Sequence, residues 1–396
     1  MTQPHPPASP DPALLRHELS ERTLALCKIP SETGQEALIA EWVEGQCSAF
    51  AGPESVKRIG NSLVCDPLGA KGAPGLPVVA LVGHLDTVKC AEDQAYEIRD
   101  GRVYGCGATD MKAGVAVMLA LLERWKELEG SRPVWIFYDG EEGPSEGNGL
   151  EAVLTWPELP AIDFAFILEP TDRALQPGCM GVLHASVTVP GVRAHSARPW
   201  QGDNAIYRAI PLLEKFAQIE RRCVTFGALD FYEVIVVTQA TTANSKNVVP
   251  DALVLNVNFR FAPGNTAAAT RNSRNVVPDA VELNVNFRFA PGNTARNAEK
   301  ELRELVGDLA TVQVVDAAPS GEVHADHPLI REWREKLALD IQPKQAWTDV
   351  ARFTTHGIPA VNFGPGETSQ AHQANEWCSI DSLEHCFSAL SRYFRP

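Results

Sequence analysis

The chain has 396 residues, 44% of them hydrophobic, with 50 acidic against 35 basic side chains and a formal net charge of -15. That length exceeds what one hydrophobic core usually serves, so two domains are expected, and the acidic balance argues against nucleic acid or an anionic membrane surface, since either needs a basic face. No apolar run approaches the roughly 20 residues of a membrane span, and MTQPHPPASP lacks the basic and apolar regions of a secretion signal, so residues 1–10 read as a disordered tail and the protein as soluble and cytoplasmic.

In chain order, Asp11 and Pro12 form a cap and first-turn pair for a helix through about Lys28, and Gln35–Gln46 reads as a second helix. Apolar strands follow at Pro77–Val82, Pro133–Tyr138 and Ala165–Leu168, and between the first two Met111–Leu128 has helical spacing with abundant Ala and Leu. Strand, helix, strand alternation predicts an α/β fold, a mostly parallel mixed sheet flanked by helices. From about Leu183 the texture changes to HASVTVPG, a helix over Asn204–Arg221, the strand YEVIVVTQ, further strand, a helix over Thr294–Val306, and TVQVV. That order suits a small two-layer α+β domain, so 11–181 with 318–396 read as one domain and 182–317 as an insertion within it. The chain closes with a helix over Ser379–Tyr393. Nine cysteines without metal-type spacing read as reduced thiols and not as a disulfide framework, with Cys27, Cys47, Cys65 and Cys223 as fillers of core or surface.

Thr242–Ala267 and Thr270–Ala295 are one segment written twice, 28 residues apart (270 against 242), with four differences: Ala243/Arg271, Lys246/Arg274, Leu253/Val281 and Val254/Glu282. A single tandem copy is not a solenoid, which needs several repeats to bury a core. In the second copy Val281, Leu283, Val285, Phe287 and Phe289 alternate with Glu282, Asn284, Asn286 and Arg288, the pattern of a half-buried strand, whereas Val254 breaks it in the first. The second copy, which runs directly into a helix, is expected to take the strand's place, leaving the first as an edge strand or loop.

Five segments carry candidate chemistry. His84 in GHLDTV follows the apolar run VVALVG, at the carboxyl end of a parallel strand where open sheets of this class place their sites. Asp86 is close enough to hydrogen-bond that imidazole and fix its tautomer, although a histidine and a cap in a tight turn would look the same. Asp110, in GCGATDMKAG ahead of a helix, is either an N-cap or a carboxylate bridging two cations. Glu141 and Glu142 follow VWIFYDG, and adjacent carboxylates there repel unless a cation or proton compensates; one can ligate while its neighbour acts as a general base. Glu169 ends the buried strand FAFIL, where a charge needs a partner, and His372 in AHQANE supplies a second imidazole. Oxygen and nitrogen donors of this kind suit a catalytic zinc site, and the thiolates of a structural one are absent from the set.

In this order, and over nearly the whole chain, these segments resemble the dinuclear zinc aminoacylase and carboxypeptidase family of metallopeptidases, which cleave an amide beside a carboxylate. The resemblance implies two zinc ions per subunit, with cobalt or manganese as substitutes. His84, Asp110 and Glu169 would hold one, and Asp110, Glu142 and His372 the other. Asp86 would orient His84, and Glu141 would be the base. It also implies that the inserted domain is a lid that pairs with a second subunit in a homodimer, with His195 reaching across to polarise the scissile carbonyl; a histidine in a turn is the bland alternative.

Within the family the likeness is closest to the desuccinylases of succinyl-diaminopimelate, carried by VPGVRAHSARP, SRNVVPDAVELNVNFRF, WTDVARF and VNFGPG. These point to Asn275, Arg288, Arg352 and Gly364 for binding a small anionic N-acyl amino acid, with Asn247 and Arg260 as rivals from the first copy. Guanidinium groups pair bidentately with carboxylates, though a solvated strand face would also suit Arg288. Cys179 and Met180 stand where many desuccinylases carry a basic pair. Acetylornithine deacetylation, dipeptidase or carboxypeptidase activity would use the same machinery, and an inactive scaffold on the same fold is the alternative from another class.

Overall fold

A computed structural model describes residues 11–69, 75–242, 248–250, 252–261, 285–288 and 295–395. The chain divides into two compact units, Met1–Leu175 with Asp326–Asp340 and Asn362–Pro396, and Gln176–Ala325 with Ile341–Val361. The second unit therefore begins earlier than 182, and it takes in 341–361, which the sequence reading left with the larger domain. The reason is local: Met180 N donates to Ala346 O at 3.2 Å, Cys179 Sγ to Thr348 O at 3.3 Å, and the Trp347 indole to Pro319 O at 3.0 Å.

In the first unit the strands Val56–Ile59, Ser62–Cys65, Arg132–Tyr138, Val78–His84, Phe164–Pro170 and Ala360–Gly364 lie in that order in one sheet. Val78–His84 runs parallel to both its neighbours, with His84 beside Tyr138 and Val82 beside Ile167. Ser62–Cys65 is antiparallel, so the sheet is mixed. The parallel strands are buried on both faces, which is why they read as continuous apolar runs and not as alternation.

The helix Ala113–Glu123 is buried all round from Ala113 to Leu122, and it meets the helices Pro12–Cys27, Ala37–Ala51 and Ile380–Phe394. Asp11 and Ser379 cap two of these, accepting from Ala13 N and Ser382 N. Phe166 meets Trp333 and Tyr393 edge-on, with ring centroids 5.4 and 5.0 Å apart. Each large side chain buried this way is worth about 1.5–3 kcal/mol, so the strand ends project from a stiff core. The central helix is shorter than the expected Met111–Leu128, because Asp110 and Met111 have non-helical dihedrals (φ -120°, ψ 92° and φ -132°, ψ 40°).

In the second unit an antiparallel sheet orders Arg222–Phe226, Leu229–Thr241, Ala252–Phe261, Gly181–Pro190 and Thr311–Ala318. The helices Ala205–Ala217 and Ala295–Val306 bury Ala209, Leu212, Phe216, Ala298 and Leu302 against Leu183, Ala185, Val187 and Val189. This is a two-layer α+β arrangement. Among the described residues, no helix is long and apolar enough to cross a membrane.

Two expectations are corrected. Cys90 and Cys106 form a disulfide, with Cα atoms 5.7 Å apart, so the thiols are not all reduced; the fold brings together two loops whose spacing gave no sign of it. The long central strand comes from the first copy of the duplicated segment: Ala252–Phe261 pairs with Gly181–Pro190 along its whole length. The second copy contributes Val285–Arg288, whose Phe287 takes the same partners as Phe259, Leu183 on one side and Ile235 on the other. The two copies also pair with each other in parallel, Val257 beside Val285 and Arg260 beside Arg288, so both stand in the sheet. The first copy has the advantage because it follows Leu229–Thr241 through a short connection, and closing a short loop costs less entropy.

Removing residues 268–295 rejoins Ala267 to Arg296 and leaves one copy. The far-UV circular dichroism of the sheet should persist and the unfolding midpoint should hold or rise; a fall of more than about 4 °C, roughly 1–2 kcal/mol, would show that both copies are needed.

Candidate metal centre

The site is built at the carboxyl ends of the first unit's parallel strands. His84, the last residue of its strand, is fully buried, and its Nδ1 lies 3.0 Å from the backbone O of Asp86 and 3.5 Å from its Oδ1. That contact presents Nε2 to the cluster, 3.2 Å from Asp110 Oδ1 and 3.8 Å from Glu169 Oε1. Asp86 is itself buried and accepts from the backbone N–H groups of Glu141 and Glu142 and from Thr33 Oγ1, each at 3.0 Å. Burial would push its carboxyl up, but the hydrogen bond and charge of His84, with those two amides, hold it below the ordinary range. One carboxylate thus orients His84 and pins the turn carrying both glutamates.

On the opposite side, His372 Nε2 lies 2.9 Å from Glu142 Oε1 and 3.5 Å from Asp110 Oδ2. The two oxygens of Asp110 therefore face different imidazoles. Three sets of potential donor atoms gather, each within 4.8 Å: His84, Asp110 and Glu169; Asp110, Glu142 and His372; and His84, Glu141 and Glu142. All five expected ligands and Glu141 share one cluster.

The electrostatics of the cluster favour added positive charge. Burial first, and then the charge of Asp110, raise the Glu142 carboxyl above its usual range. Hydrogen bonds to Asp110 and Glu142 push the His372 imidazole up to about 10. For His84, burial works against protonation, yet Asp110 and Asp86 raise it well above the ordinary histidine value. Two unit charges at about 4 Å repel by roughly 4 kcal/mol at an effective dielectric of about 20, so several carboxylates can stay ionised here only with cations among them. Nitrogen and carboxylate-oxygen donors without thiolate fit divalent metal ions.

The sequence reading missed Glu376, four residues after His372. Its buried carboxylate accepts from the backbone N–H groups of Gly107 (2.9 Å), Thr109 (2.7 Å) and Asp110 (3.0 Å). It also missed Lys112, buried with Nζ donating to Ile29 O at 2.9 Å. The acid was visible in AHQANE, but only tertiary structure shows which loop it meets.

The residues expected to bind substrate are placed differently. His195 is exposed in the second unit, in a short strand paired with Val248–Val249, and its Nδ1 accepts from Ala197 N at 3.0 Å. Arg352, also in the second unit, pairs through Nε with Asp349 Oδ1 at 2.8 Å and lies 5.9 Å from the Trp347 ring centroid. Arg260 and Arg288 both stand opposite Val234. Asn247 and Asn275 fall outside the described residues. Gly364 belongs to the first unit's sheet, where a Cβ would meet Leu168 O at 2.1 Å and Glu169 O at 2.5 Å, so only glycine permits that approach.

Residues 80–395 match the profile of Peptidase family M20/M25/M40, and the chain belongs to that family of metal-dependent amide hydrolases. Among its relatives, the Corynebacterium glutamicum succinyl-diaminopimelate desuccinylase is 35% identical over 94% of this chain and 94% of its own. A Mycobacterium tuberculosis protein provisionally given the same name is 32% identical over 96% and 98%. Among solved structures, a tripeptidase from Staphylococcus aureus shares the fold with a TM-score of 0.69 at 20% identity, covering 96% of this chain and 98% of that one.

Replacing Gly364 by Ala forces its strand away from Glu169. Overpacking of this kind typically costs about 1–3 kcal/mol, so denaturant unfolding should show a loss in that range and metal uptake should weaken. Unchanged stability and uptake would mean the strands tolerate separation.

Proposed function

We propose that the chain is a dinuclear zinc hydrolase that cleaves N-succinyl-LL-2,6-diaminopimelate to succinate and LL-diaminopimelate. The observation that carries the metal half is Asp110, whose Oδ1 and Oδ2 face His84 and His372 respectively. The substrate half rests on desuccinylase-named relatives that span 94–98% of their own length. In this reading His84, Asp110 and Glu169 hold one ion, and Asp110, Glu142 and His372 hold the other. When bound, such a pair lowers the pKa of a water and polarises the scissile carbonyl.

The protein's own groups do the rest. Asp86 keeps Nδ1 of His84 engaged, leaving Nε2 as the ligand atom. Glu141, whose backbone N–H is held by Asp86, takes the proton of the attacking water at its carboxylate and delivers it to the departing amine nitrogen. Breaking the amide C–N bond then leaves a carboxylate and an amine. His195 accepts at Nδ1 from Ala197 N, so its proton resides on Nε2, which suits donation to the developing oxyanion. We assign that donation to a second protomer paired through the second unit. Arg352 and an arginine of the duplicated strand, Arg260 or Arg288, are assigned to the substrate carboxylates, and the family resemblance assigns Asn247 or Asn275 and Gly364 to substrate binding as well.

Glu141→Gln should lower kcat by about a hundredfold to ten-thousandfold while zinc content, read by elemental analysis, stays that of the parent. Retained turnover removes Glu141 from the role of base. Assayed side by side, succinyl-diaminopimelate should exceed acetylornithine and dipeptides in kcat/KM at least tenfold; a different leader would transfer the specificity to a deacetylase or dipeptidase.

A further inference from the structure

The buried carboxylate of Glu376 stands just behind the cluster, and the mechanism above does not use it. It lies 266 residues from Asp110 in sequence, yet Oε1 accepts from the N–H groups of Thr109 and Asp110 at 2.7 and 3.0 Å, and Oε2 from Gly107 at 2.9 Å. The same segment is tied again through its backbone. Gly105 N donates to Glu376 O at 3.1 Å, and Thr109 Oγ1 to Trp377 O at 2.7 Å. Gln94 brackets Glu376 from the other side, accepting from its N at 3.2 Å and donating to its O at 3.3 Å.

This places one acceptor between two pieces of chain that must agree in position. The 105–110 loop carries Asp110, the segment from 372 to 377 carries His372, and these two side chains face each other at 3.5 Å. Asp110 also lies outside the regular helix that follows it, so helical hydrogen bonds do not fix its backbone; the carboxylate of Glu376 does. The first set shares Asp110 but depends on it less, because its other two donors, His84 and Glu169, stand on adjacent parallel strands and are held by the sheet ladder.

We infer that Glu376 is a positioning residue for one half of the metal centre, clamping the Asp110 loop to the His372 segment so that Asp110, Glu142 and His372 can close around a cation. The inference rests on the dinuclear reading above. Lys112 is also buried, two residues after Asp110, with Nζ donating to Ile29 O at 2.9 Å. A general packing role for Glu376 would weaken both cation sites and the whole unit together, whereas a clamp acts on one set first.

The test is a cobalt(II) titration of the metal-stripped full-length chain, followed by calorimetry and the visible d–d spectrum. It compares the parent with Glu376→Gln, which keeps Oε1 but turns an N–H donor toward Gly107. The parent should take up two equivalents. In E376Q one equivalent should bind within about twofold of the parent and the other roughly 10–100-fold more weakly, the usual cost of removing a ligand's support. In the reloaded enzyme, kcat should fall with KM changed less than about twofold. If E376Q does not fold, Glu376→Asp reads the same split with a shortened acceptor. Two equivalents bound with parental affinity, or both weakened in parallel, overturn the assignment. A parent chain that takes up no second equivalent overturns the dinuclear reading, and this one with it.

Discussion

Concentrated negative charge at the carboxyl ends of buried parallel strands is the constraint on which the rest of the first unit depends. Asp86, Asp110, Glu141, Glu142 and Glu169 meet around His84 and His372, with His84, Asp86 and Glu169 buried, the other three acids half-buried and His372 exposed. Strands whose flanks were apolar only would have no reason to end in this way, and ionised carboxylates so close together cost several kcal/mol of repulsion. Part of that repulsion is offset, because three of these acids have defined counterparts. Asp86 has amide donors and an imidazole, Asp110 has an imidazole on each side, and Glu142 has His372. The same logic makes the cluster a receptor for divalent cations.

Rigidity behind the cluster is as important as its composition. The helix Ala113–Glu123 has almost no solvent-facing surface, and the aromatic contacts among Phe166, Trp333, Phe363 and Tyr393 brace the sheet from the other unit-one helices. A ligand set spread from residue 84 to residue 372 converges because the sheet and its two flanking layers leave its carriers little freedom. Gly364 shows how tight that assembly is: the Leu168 carbonyl occupies the space a methyl group would take.

Much of this was legible in the order of residues. Val78–His84, Arg132–Tyr138 and Phe164–Pro170 are apolar runs ending abruptly in acids or histidine, and that abruptness marks strand ends at a site in an α/β sheet. Asp11 announced its helix because capping is a local interaction. What stayed hidden depends on long-range geometry. Glu376 looks like one more acid until its three amide donors are seen, the Cys90–Cys106 bond joins loops of no recognisable spacing, and 341–361 changes unit because of backbone contacts to Met180 and Cys179. The duplicated strand was misassigned for a related reason. Alternation favoured the second copy, but proximity to Leu229–Thr241 favours the first, and loop entropy does not show in a residue pattern.

The two copies carry the same residues over 255–261 and 283–289, and Val257–Phe259 and Val285–Phe287 stand opposite the same residues of Gly181–Pro190. Such a sheet holds a spare part. A substitution that ruins one copy leaves an intact substitute within the same chain, so mutational scanning of this stretch should look deceptively tolerant, and selection on either copy alone is relaxed. Single-site variation in this stretch would therefore understate its importance, because the other copy's sequence is left untouched.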